Sequence, residues 1–223
     1  MEAAVAATEA LSLAAYRDAV AGCTKCALAK GRTQVVFGSG SPSADLMFVG
    51  EAPGFHEDKQ GVPFVGAAGQ LLGKLLAGIG LTRDQVYVAN VLKCRPPGNR
   101  DPQPDEIESC EPHLWRQIEL IQPKVIATLG NFATKLLSGK PLGITRVHGS
   151  EQEVVLGGNR VVLYPLFHPA AALYTPRMLE VLEADFGRLP SLLGAATAPP
   201  PAPVVELAPP PAVEPEPVQL GLF

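Results

Sequence analysis

The chain has 223 residues, 47% of them hydrophobic, which is enough for one domain of ordinary size and a tail. Its apolar runs are far shorter than the roughly 20 residues of a membrane-spanning helix, so neither a membrane span nor a membrane partner is expected. A formal net charge of −4 argues against nucleic-acid binding. However, three acidic residues and no basic ones lie after Arg188, so the preceding part is nearly neutral and has room for a local basic patch.

The first 20 residues are rich in alanine and lack a basic start, which is typical of a helix rather than a secretory signal, so we expect a cytoplasmic protein. Four short apolar runs then predict buried strands, at residues 45–50, 86–92, 124–130 and 161–167. Helical patterns lie between them: residues 69–79 have leucines at helical spacing, 104–121 open with acidic residues after a proline, and 131–137 start directly after a strand. This alternation predicts an α/β fold with a parallel sheet covered by helices on both faces.

Polar residues stand where three of these strands end. Glu51 follows the first strand, Asn90 lies near the end of the second, and His168 follows the fourth. Parallel sheets bind ligands at the carboxyl ends of their strands, so these side chains are candidate functional residues. Taken singly, each also has an ordinary explanation: an exposed strand exit, a capping amide, and a helix-entry residue ahead of a proline.

The four cysteines form a second candidate site. Cys23 and Cys26 are a C-x2-C pair, Cys94 follows the second strand, and Cys110 lies in the next predicted helix. In a cytosolic protein such a set favours a metal site over disulfides. Zinc and an iron–sulfur cluster both accept four thiolates, and four separate buried thiols are the alternative.

The composition changes at about residue 195. Nine of the 23 prolines lie between Pro199 and Pro217, mixed with alanine, valine and glutamate. Such a segment cannot bury enough surface to fold. We therefore predict a globular domain over residues 1–194, a disordered linker over 195–218, and a separate apolar peptide over 219–223.

Six sequence blocks, in a fixed order, point to one family. They are C-x2-C at 23–26, GEAPG at 50–54, GVPFVGAAGQLL at 61–72, NVLKCRPPGNRDP at 90–102, Cys110, and HPAAAL at 168–173. Over residues 13–193 the chain resembles the uracil-DNA glycosylases of family 4, the iron–sulfur class of bacteria and archaea. The resemblance implies a three-layer α/β/α fold with a four-stranded parallel sheet, a 4Fe-4S cluster on the four cysteines, and hydrolysis of the N-glycosidic bond of deoxyuridine in DNA.

The same resemblance implies roles for the site residues. Phe64 would stack on an extruded uracil, and the Asn90 amide would accept from uracil N3–H and donate to O4. His168, with backbone N–H groups of the turn after the first strand, would donate to O2, where negative charge develops. The catalytic set is Glu51, Asn90 and His168. The substrate-binding set is Gly50, Ala52, Pro53, Gly54, Phe64, Asn90 and His168.

The chain departs from better-known uracil glycosylases at two positions of the GEAPG turn. Those enzymes have a water-positioning aspartate where this sequence has Ala52, and a thymine-excluding tyrosine where it has Gly54. Glu51 could orient water, stabilise the sugar cation, or only order the turn. Glu57 or Asp58 is the candidate for excluding the thymine methyl group.

DNA contacts are expected from two further segments. Lys93, Arg95 and Arg100 are candidate phosphate ligands in and beside the loop between Cys94 and Cys110. The HPAAAL segment would press into the DNA, with Leu173 or a neighbouring alanine as an apolar wedge and Arg177 on a phosphate.

The last five residues, QLGLF, resemble the peptide with which bacterial DNA-maintenance proteins dock on the sliding clamp. The residues that would make this contact are Gln219, Leu220, Leu222 and Phe223. The alternative is a hydrophobic end without a partner. Tethered by the linker, such a peptide would raise the local concentration of the protein near newly replicated DNA.

The sequence thus favours a monomeric enzyme that removes uracil from DNA. One alternative is a binding protein of the same fold that grips uracil in DNA with little turnover. Another is a clamp-tethered adaptor whose cysteines hold zinc.

Overall fold

The structure is a computed structural model that describes residues 12–197. Its strands are β1 (Ser39–Gly40), β2 (Leu46–Gly50), β3 (Tyr87–Asn90), β4 (Val125–Leu129), β5 (Gln152–Leu156) and β6 (Asn159–Leu166). They form one sheet in the order β1-β3-β2-β4-β6-β5. The α/β class is confirmed, and the four predicted strands form its parallel centre.

The sheet has two strands more than predicted, because β1 and β5 add antiparallel edges to the parallel centre and make a mixed six-stranded sheet. β1 has only two residues, too few for a periodic pattern. β5 forms a hairpin with β6 across Gly157 and Gly158, which both have positive φ. A Gly-Gly pair between apolar runs is a hairpin signal, because only glycine adopts such a turn without steric cost.

Nine helices surround the sheet in residues 12–197. They are α1 (Leu13–Val20), α2 (Phe55–Gln60), α3 (Ala67–Gly78), α4 (Pro104–Ile121), α5 (Asn131–Ser138), α6 (Ile144–Val147), α7 (Pro169–Ala172), α8 (Pro176–Phe186) and α9 (Leu189–Thr197). Short 3-10 turns occur at Ala27–Lys30 and Pro97–Asn99. The three predicted helices, at 69–79, 104–121 and 131–137, correspond to α3, α4 and α5.

The two faces of the sheet are covered by separate hydrophobic clusters. Met47 and Val49 of β2 pack with residues of α4 and α5, whereas Leu46 and Phe48 pack with residues of α3, α8 and α9. Successive side chains of a strand point to opposite faces, so a strand that is covered on both sides is apolar throughout. All five residues of β2 are accordingly buried, and the molecule has the predicted three layers.

In the segment between Cys94 and Cys110, the sequence marks the start of α4 most clearly. Pro104 occupies its first turn, and Gln103 and Glu106 form a capping box. The Glu106 carboxylate also pairs with Arg100 through two hydrogen bonds of 2.6 and 2.9 Å. This pairing holds the pKa of Glu106 below its usual value and fixes the loop against the helix.

The C-terminal boundary differs by three residues from the predicted one. α9 continues to Thr197, so residues 195–197, predicted as linker, lie in a helix. The remaining linker and the peptide 219–223 lie outside the described residues. Within residues 12–197, no helix is both long and apolar enough to span a bilayer.

Candidate active site

A cavity of about 370 Å³ opens where β2, β3 and β6 end. It is lined by seven of the eight residues predicted as catalytic or substrate-binding, all except Gly50: Glu51, Ala52, Pro53, Gly54, Phe64, Asn90 and His168. Its remaining lining residues are Glu57, Ala68, Pro96, Asn99, Arg100 and Ala170. The parallel strands therefore bring together side chains that are more than a hundred residues apart, at the edge of the sheet where ligands bind.

Asn90 ends β3 with an unused hydrogen-bond acceptor. The side chain is 2% exposed, and its Oδ1 is the only buried side-chain oxygen or nitrogen of residues 12–197 without a hydrogen-bond partner. Gly50 makes room for it, because a Cβ at position 50 would lie 2.5 Å from this oxygen and 2.8 Å from the Phe64 ring. A buried acceptor left unpaired costs about 1–3 kcal/mol, so it marks a place where a ligand N–H is expected.

Phe64 is held in a strained backbone conformation beside Asn90. Its φ of 55° lies in the left-handed region, which costs a non-glycine residue of order 1–3 kcal/mol. Arg83 donates hydrogen bonds to the carbonyl groups of Phe64 and Pro63, at 3.0 and 2.8 Å. Gly69 lets the Phe64 backbone pass, since a Cβ there would overlap the Phe64 carbonyl at 1.7 Å. The sequence carried no signal for the part played by Arg83.

Glu57 braces the same turn and also lines the cavity. Its Oε1 accepts from the backbone N–H groups of Val65 and Gly66, at 3.0 and 2.9 Å. Its Oε2 fills the space next to Gly54, where a Cβ would lie 2.7 Å away. Asp58, the other candidate for excluding a methyl group, is buried outside the cavity lining and accepts from the backbone N–H of Thr33.

His168 caps α7 and has a defined tautomer. Its Nδ1 accepts from the backbone N–H of Ala170 at 3.1 Å, so in the neutral ring the proton lies on Nε2. Burial lowers the pKa of His168 to about 4, although the charge of Glu57 opposes the shift. The ring lies 5.5 Å from the Phe64 ring, centroid to centroid. At neutral pH it can therefore donate one hydrogen bond from Nε2.

Glu51 contributes a half-buried carboxyl group to the cavity. Burial, with a smaller contribution from Asp101, raises its pKa above the usual value. The Glu51 backbone carbonyl accepts from the N–H of Leu92, which extends the β2–β3 pairing by one residue. Desolvation of this kind is common for carboxylates that act in catalysis.

The cationic residues predicted to bind phosphate differ in their placement. Lys93 is 1% exposed, and its Nζ donates to the backbone carbonyl of Asn90 at 2.7 Å and to Gln117 at 2.5 Å. A phosphate contact for Lys93 is therefore wrong, because its ammonium group is used inside the core. Arg100 lines the cavity while it pairs with Glu106, and Arg95 is partly exposed above Phe55.

The segment after His168 exposes two of the alanines that neighbour Leu173, and also Tyr174, which was not predicted. Leu173 is partly buried and Ala172 is 6% exposed, whereas Ala170 and Ala171 are exposed and Tyr174 is 91% exposed. Arg177 is exposed in the first turn of α8, as a phosphate contact would require. The spacing of the sequence motif could not distinguish Leu173 from Tyr174.

The four cysteines meet at a second, smaller cavity between the N-terminal segment and α4. Three hydrogen-bonding groups approach their sulfur atoms: Arg32 Nη1 at Cys94 (3.5 Å), the Lys93 backbone N–H at Cys110 (3.2 Å), and His113 Nε2 at Cys23 (3.4 Å). Burial raises the pKa of Cys94 to about 11. Across residues 12–197, no three His, Cys, Asp or Glu side chains are already arranged as ligands of one metal ion. The convergence of four thiols and three such groups nevertheless fits the donor chemistry of a centre held by four cysteines.

Comparison with known proteins places this architecture in a family. Residues 37–186 match the model of the uracil DNA glycosylase superfamily. The chain is 48% identical over 186 residues to a type-4 uracil-DNA glycosylase of Sulfurisphaera tokodaii, covering 81% of this chain and 84% of the relative. It is 49% identical over 176 residues to the type-4 uracil-DNA glycosylase of Archaeoglobus fulgidus, covering 77% of this chain and 88% of that protein.

Identity to a type-5 uracil-DNA glycosylase, from Pyrobaculum aerophilum, is 33% over 146 residues, or 59% of this chain and 63% of that protein. The type-4 proteins match at higher identity and over more of the sequence. The chain therefore belongs to the uracil-DNA glycosylase superfamily and, within it, to the type-4 family.

Proposed function

We propose that this protein is a uracil-DNA glycosylase, which extrudes uracil from DNA, hydrolyses its N-glycosidic bond and leaves an abasic site that starts base excision repair. Its type-4 relatives support the activity. One observation carries the substrate assignment: within the described part of the chain Asn90 Oδ1 has no hydrogen-bond partner, and it lies beside an aromatic ring and a neutral imidazole.

Asn90 selects uracil by its hydrogen-bond pattern. Its Oδ1 accepts from uracil N3–H, and its amide nitrogen donates to O4. Cytosine presents an acceptor at N3 and an amino group at C4, so both pairings would fail and leave buried groups unpaired. Such mismatches cost far more than the loss of an apolar contact, which is why a polar pocket discriminates well.

Phe64 receives the extruded base on a surface that is in place before binding. Stacking of a base on an aromatic side chain contributes about 1–3 kcal/mol. Arg83 and Glu57 fix the backbone of the Phe64 turn and Gly69 makes room for it, so little conformational freedom is lost when uracil enters. This interaction offsets part of the few kcal/mol needed to unstack the nucleotide.

His168 stabilises the leaving group. As the glycosidic bond breaks, negative charge develops on uracil, chiefly at O2, and a donor aimed at that atom lowers the barrier. The Nε2–H of the neutral ring is such a donor, and backbone N–H groups in the turn 50–54 add to it. Because the pKa of His168 is about 4, the ring stays neutral throughout the physiological range.

Glu51 acts on the other side of the bond. Its carboxylate orients the attacking water or stabilises the cationic sugar, and a Glu51→Gln variant tests both. Both roles require the ionised carboxylate, so the rate should rise with pH through the Glu51 pKa, and the variant should lose this dependence together with most of its rate. An unchanged rate and pH profile in Glu51→Gln would show that Glu51 only orders the turn.

Glu57 excludes thymine. Its Oε2 fills the space beside Gly54, where related families place a tyrosine, and thus narrows the cavity on one side. A Glu57→Ala variant should release thymine from a T-containing oligonucleotide if this placement is correct. Since Glu57 also braces the Phe64 turn, Glu57→Gln serves as the control that keeps the volume of the side chain.

Cys23, Cys26, Cys94 and Cys110 hold a 4Fe-4S cluster, with zinc as the alternative. The cluster supplies structural cross-linking, because it joins the N-terminal segment to the loop that leads into α4. Iron and sulfide analysis of the purified protein, with its visible absorbance, distinguishes the two. Iron and sulfide in a coloured protein support the cluster, and a colourless protein that contains zinc contradicts it.

The DNA strand is held at the rim of the cavity. Arg95 and Arg177 neutralise phosphates, Arg100 lies at the wall, and Leu173 with its exposed neighbour Tyr174 forms the wedge. Leu173→Ala and Tyr174→Ala separate the two wedge residues. The one that inserts should lose activity on duplex substrates more than on single strands, because only the duplex must be opened.

The C-terminal residues Gln219, Leu220, Leu222 and Phe223 dock on the sliding clamp, and the protein acts as a cytoplasmic monomer. The sequence of the last five residues supports the docking, and they lie outside the described structure. Titration of a labelled peptide of residues 215–223 with purified clamp tests this directly. A peptide with Leu222 and Phe223 changed to alanine is the matched control.

One experiment separates an enzyme from a non-catalytic uracil-DNA-binding protein. The protein is incubated with an end-labelled oligonucleotide that carries one uracil, and alkali then cleaves any abasic site. Repeated turnover supports the enzyme, whereas binding without strand scission supports the alternative. An Asn90→Asp variant should lose uracil release or begin to process cytosine, and unchanged uracil release would remove Asn90 from the pocket.

A further inference from the structure

Phe55 is an exposed aromatic residue at the edge of the cavity. Its side chain is 50% exposed, although it begins α2 directly after Gly54, which lines the cavity. The turn that shapes the site thus also directs a large apolar ring towards solvent. A single exposed apolar residue is ordinary on a protein surface. The groups around the ring make this one different.

Two cationic side chains lie over the Phe55 ring. The Arg95 guanidinium carbon is 5.2 Å from the ring centroid, and Lys59 Nζ is 5.9 Å from it. His56 meets the ring at its edge, with centroids 5.4 Å apart. Lys59 belongs to α2, whereas Arg95 comes from the loop after β3, so the fold brings them to the ring from separate segments. Both cations are within the range of cation–π attraction.

The cluster is continuous with the cavity. Arg95 Nε donates to Asn99 Oδ1 at 2.7 Å, and Asn99 is a lining residue. This hydrogen bond fixes the guanidinium group between the ring and the cavity wall. A strand whose uracil occupies the cavity can therefore leave it beside Gly54 and Asn99, close to the Phe55 ring.

We propose that Phe55, Arg95 and Lys59 form a binding subsite for the nucleotide next to the extruded uracil. The ring stacks on the neighbouring base, and the two cations neutralise the phosphate that follows it. An aromatic face flanked by cations is the combination that binds unpaired nucleotides without sequence preference. The subsite rests on the proposed function and extends it, because it adds a contact to the unpaired base beside the extruded uracil.

The test combines a protein variant with a substrate variant. Uracil release is measured on a single-stranded oligonucleotide with one central deoxyuridine, and on the same strand with abasic residues on both sides of it. Phe55→Ala should raise KM about tenfold on the first strand, as expected for loss of one stacked base. The abasic neighbours should raise KM of the unaltered protein to a similar extent, and the two changes together should have little further effect.

Control variants keep the outcome unambiguous. Phe55→Trp retains an aromatic face and should restore KM. Val155→Ala removes an exposed apolar side chain from β5, outside the cavity lining, and should leave KM unchanged. Arg95→Met should lower the slope of log KM against log salt by about 0.7, the value for one phosphate on a single strand. Fully additive effects of Phe55→Ala and the abasic neighbours, or an unchanged KM for Phe55→Ala, would overturn the subsite. Absence of uracil release by the unaltered protein would instead refute the proposed function.

Discussion

Replacement of Asn90 by leucine should separate stability from activity. Asn90 Oδ1 is buried and has no hydrogen-bond partner among residues 12–197, an arrangement that costs about 1–3 kcal/mol. Leucine has the same branching and no polar side-chain atoms, so Asn90→Leu removes that cost. We expect the free energy of unfolding to stay the same or to rise by about 1 kcal/mol, after allowance for the larger volume of leucine.

Activity should change in the opposite direction. The variant loses two hydrogen bonds to uracil and leaves the N3–H and O4 groups unpaired in a buried site. Together these effects amount to about 3–4 kcal/mol, so kcat/KM should fall by roughly 10² to 10³. Most core substitutions lower stability, so a substitution that preserves or raises stability and abolishes activity indicates a side chain that serves ligand binding rather than folding.

The assay needs two measurements on the same samples. Urea denaturation, followed by the fluorescence of Trp115, the only tryptophan, gives the free energy of unfolding, and steady-state uracil release gives kcat/KM. Leu114→Ala is the control, because Leu114 is fully buried in α4 and its truncation should cost about 2–5 kcal/mol. A loss of about 2 kcal/mol or more in Asn90→Leu would show that the amide is structural. Retained activity would show that it does not bind uracil.

Three further predictions concern the surroundings of the base. Gly69→Ala should lower the thermal unfolding temperature sharply, because its Cβ would overlap the Phe64 carbonyl. Gly73→Ala, in the same helix, places its Cβ where nothing lies within 4 Å and should stabilise the protein by about 0.5–1 kcal/mol. Equal effects of the two substitutions would contradict the packing described. Arg83→Met should destabilise by about 1–3 kcal/mol through two lost hydrogen bonds and raise KM for uracil release, and an unchanged KM would mean that the Phe64 turn holds without it. Protonation of His168 favours the unfolded chain, because its pKa is about 4 when folded and about 6.5 when unfolded. In urea denaturation the free energy of unfolding should therefore keep its full value above pH 6.5 and fall by about 3 kcal/mol towards pH 4. The fall should be smaller in His168→Gln.

The sequence predicted the centre of the fold because burial on both faces produces a strong pattern. A strand covered on both sides must be apolar throughout, so β2, β3, β4 and β6 were recognisable from short runs. The two edge strands carry less information, since β1 is too short and β5 is half exposed. The Gly157–Gly158 turn was a usable signal for β5 that the strand prediction did not include.

Residue types at strand ends likewise indicated the candidate site, since parallel topology alone brings Glu51, Asn90 and His168 to one edge of the sheet. The hydrogen-bond partners of these side chains, by contrast, depend on contacts between segments that are distant in the sequence. Tertiary structure alone placed Lys93 inside the core and brought Arg95 over Phe55. It also left Asn90 Oδ1 without a partner among the residues that the structure describes. A motif records which side chains are present, but burial and hydrogen bonding depend on neighbours that the chain supplies only after it has folded.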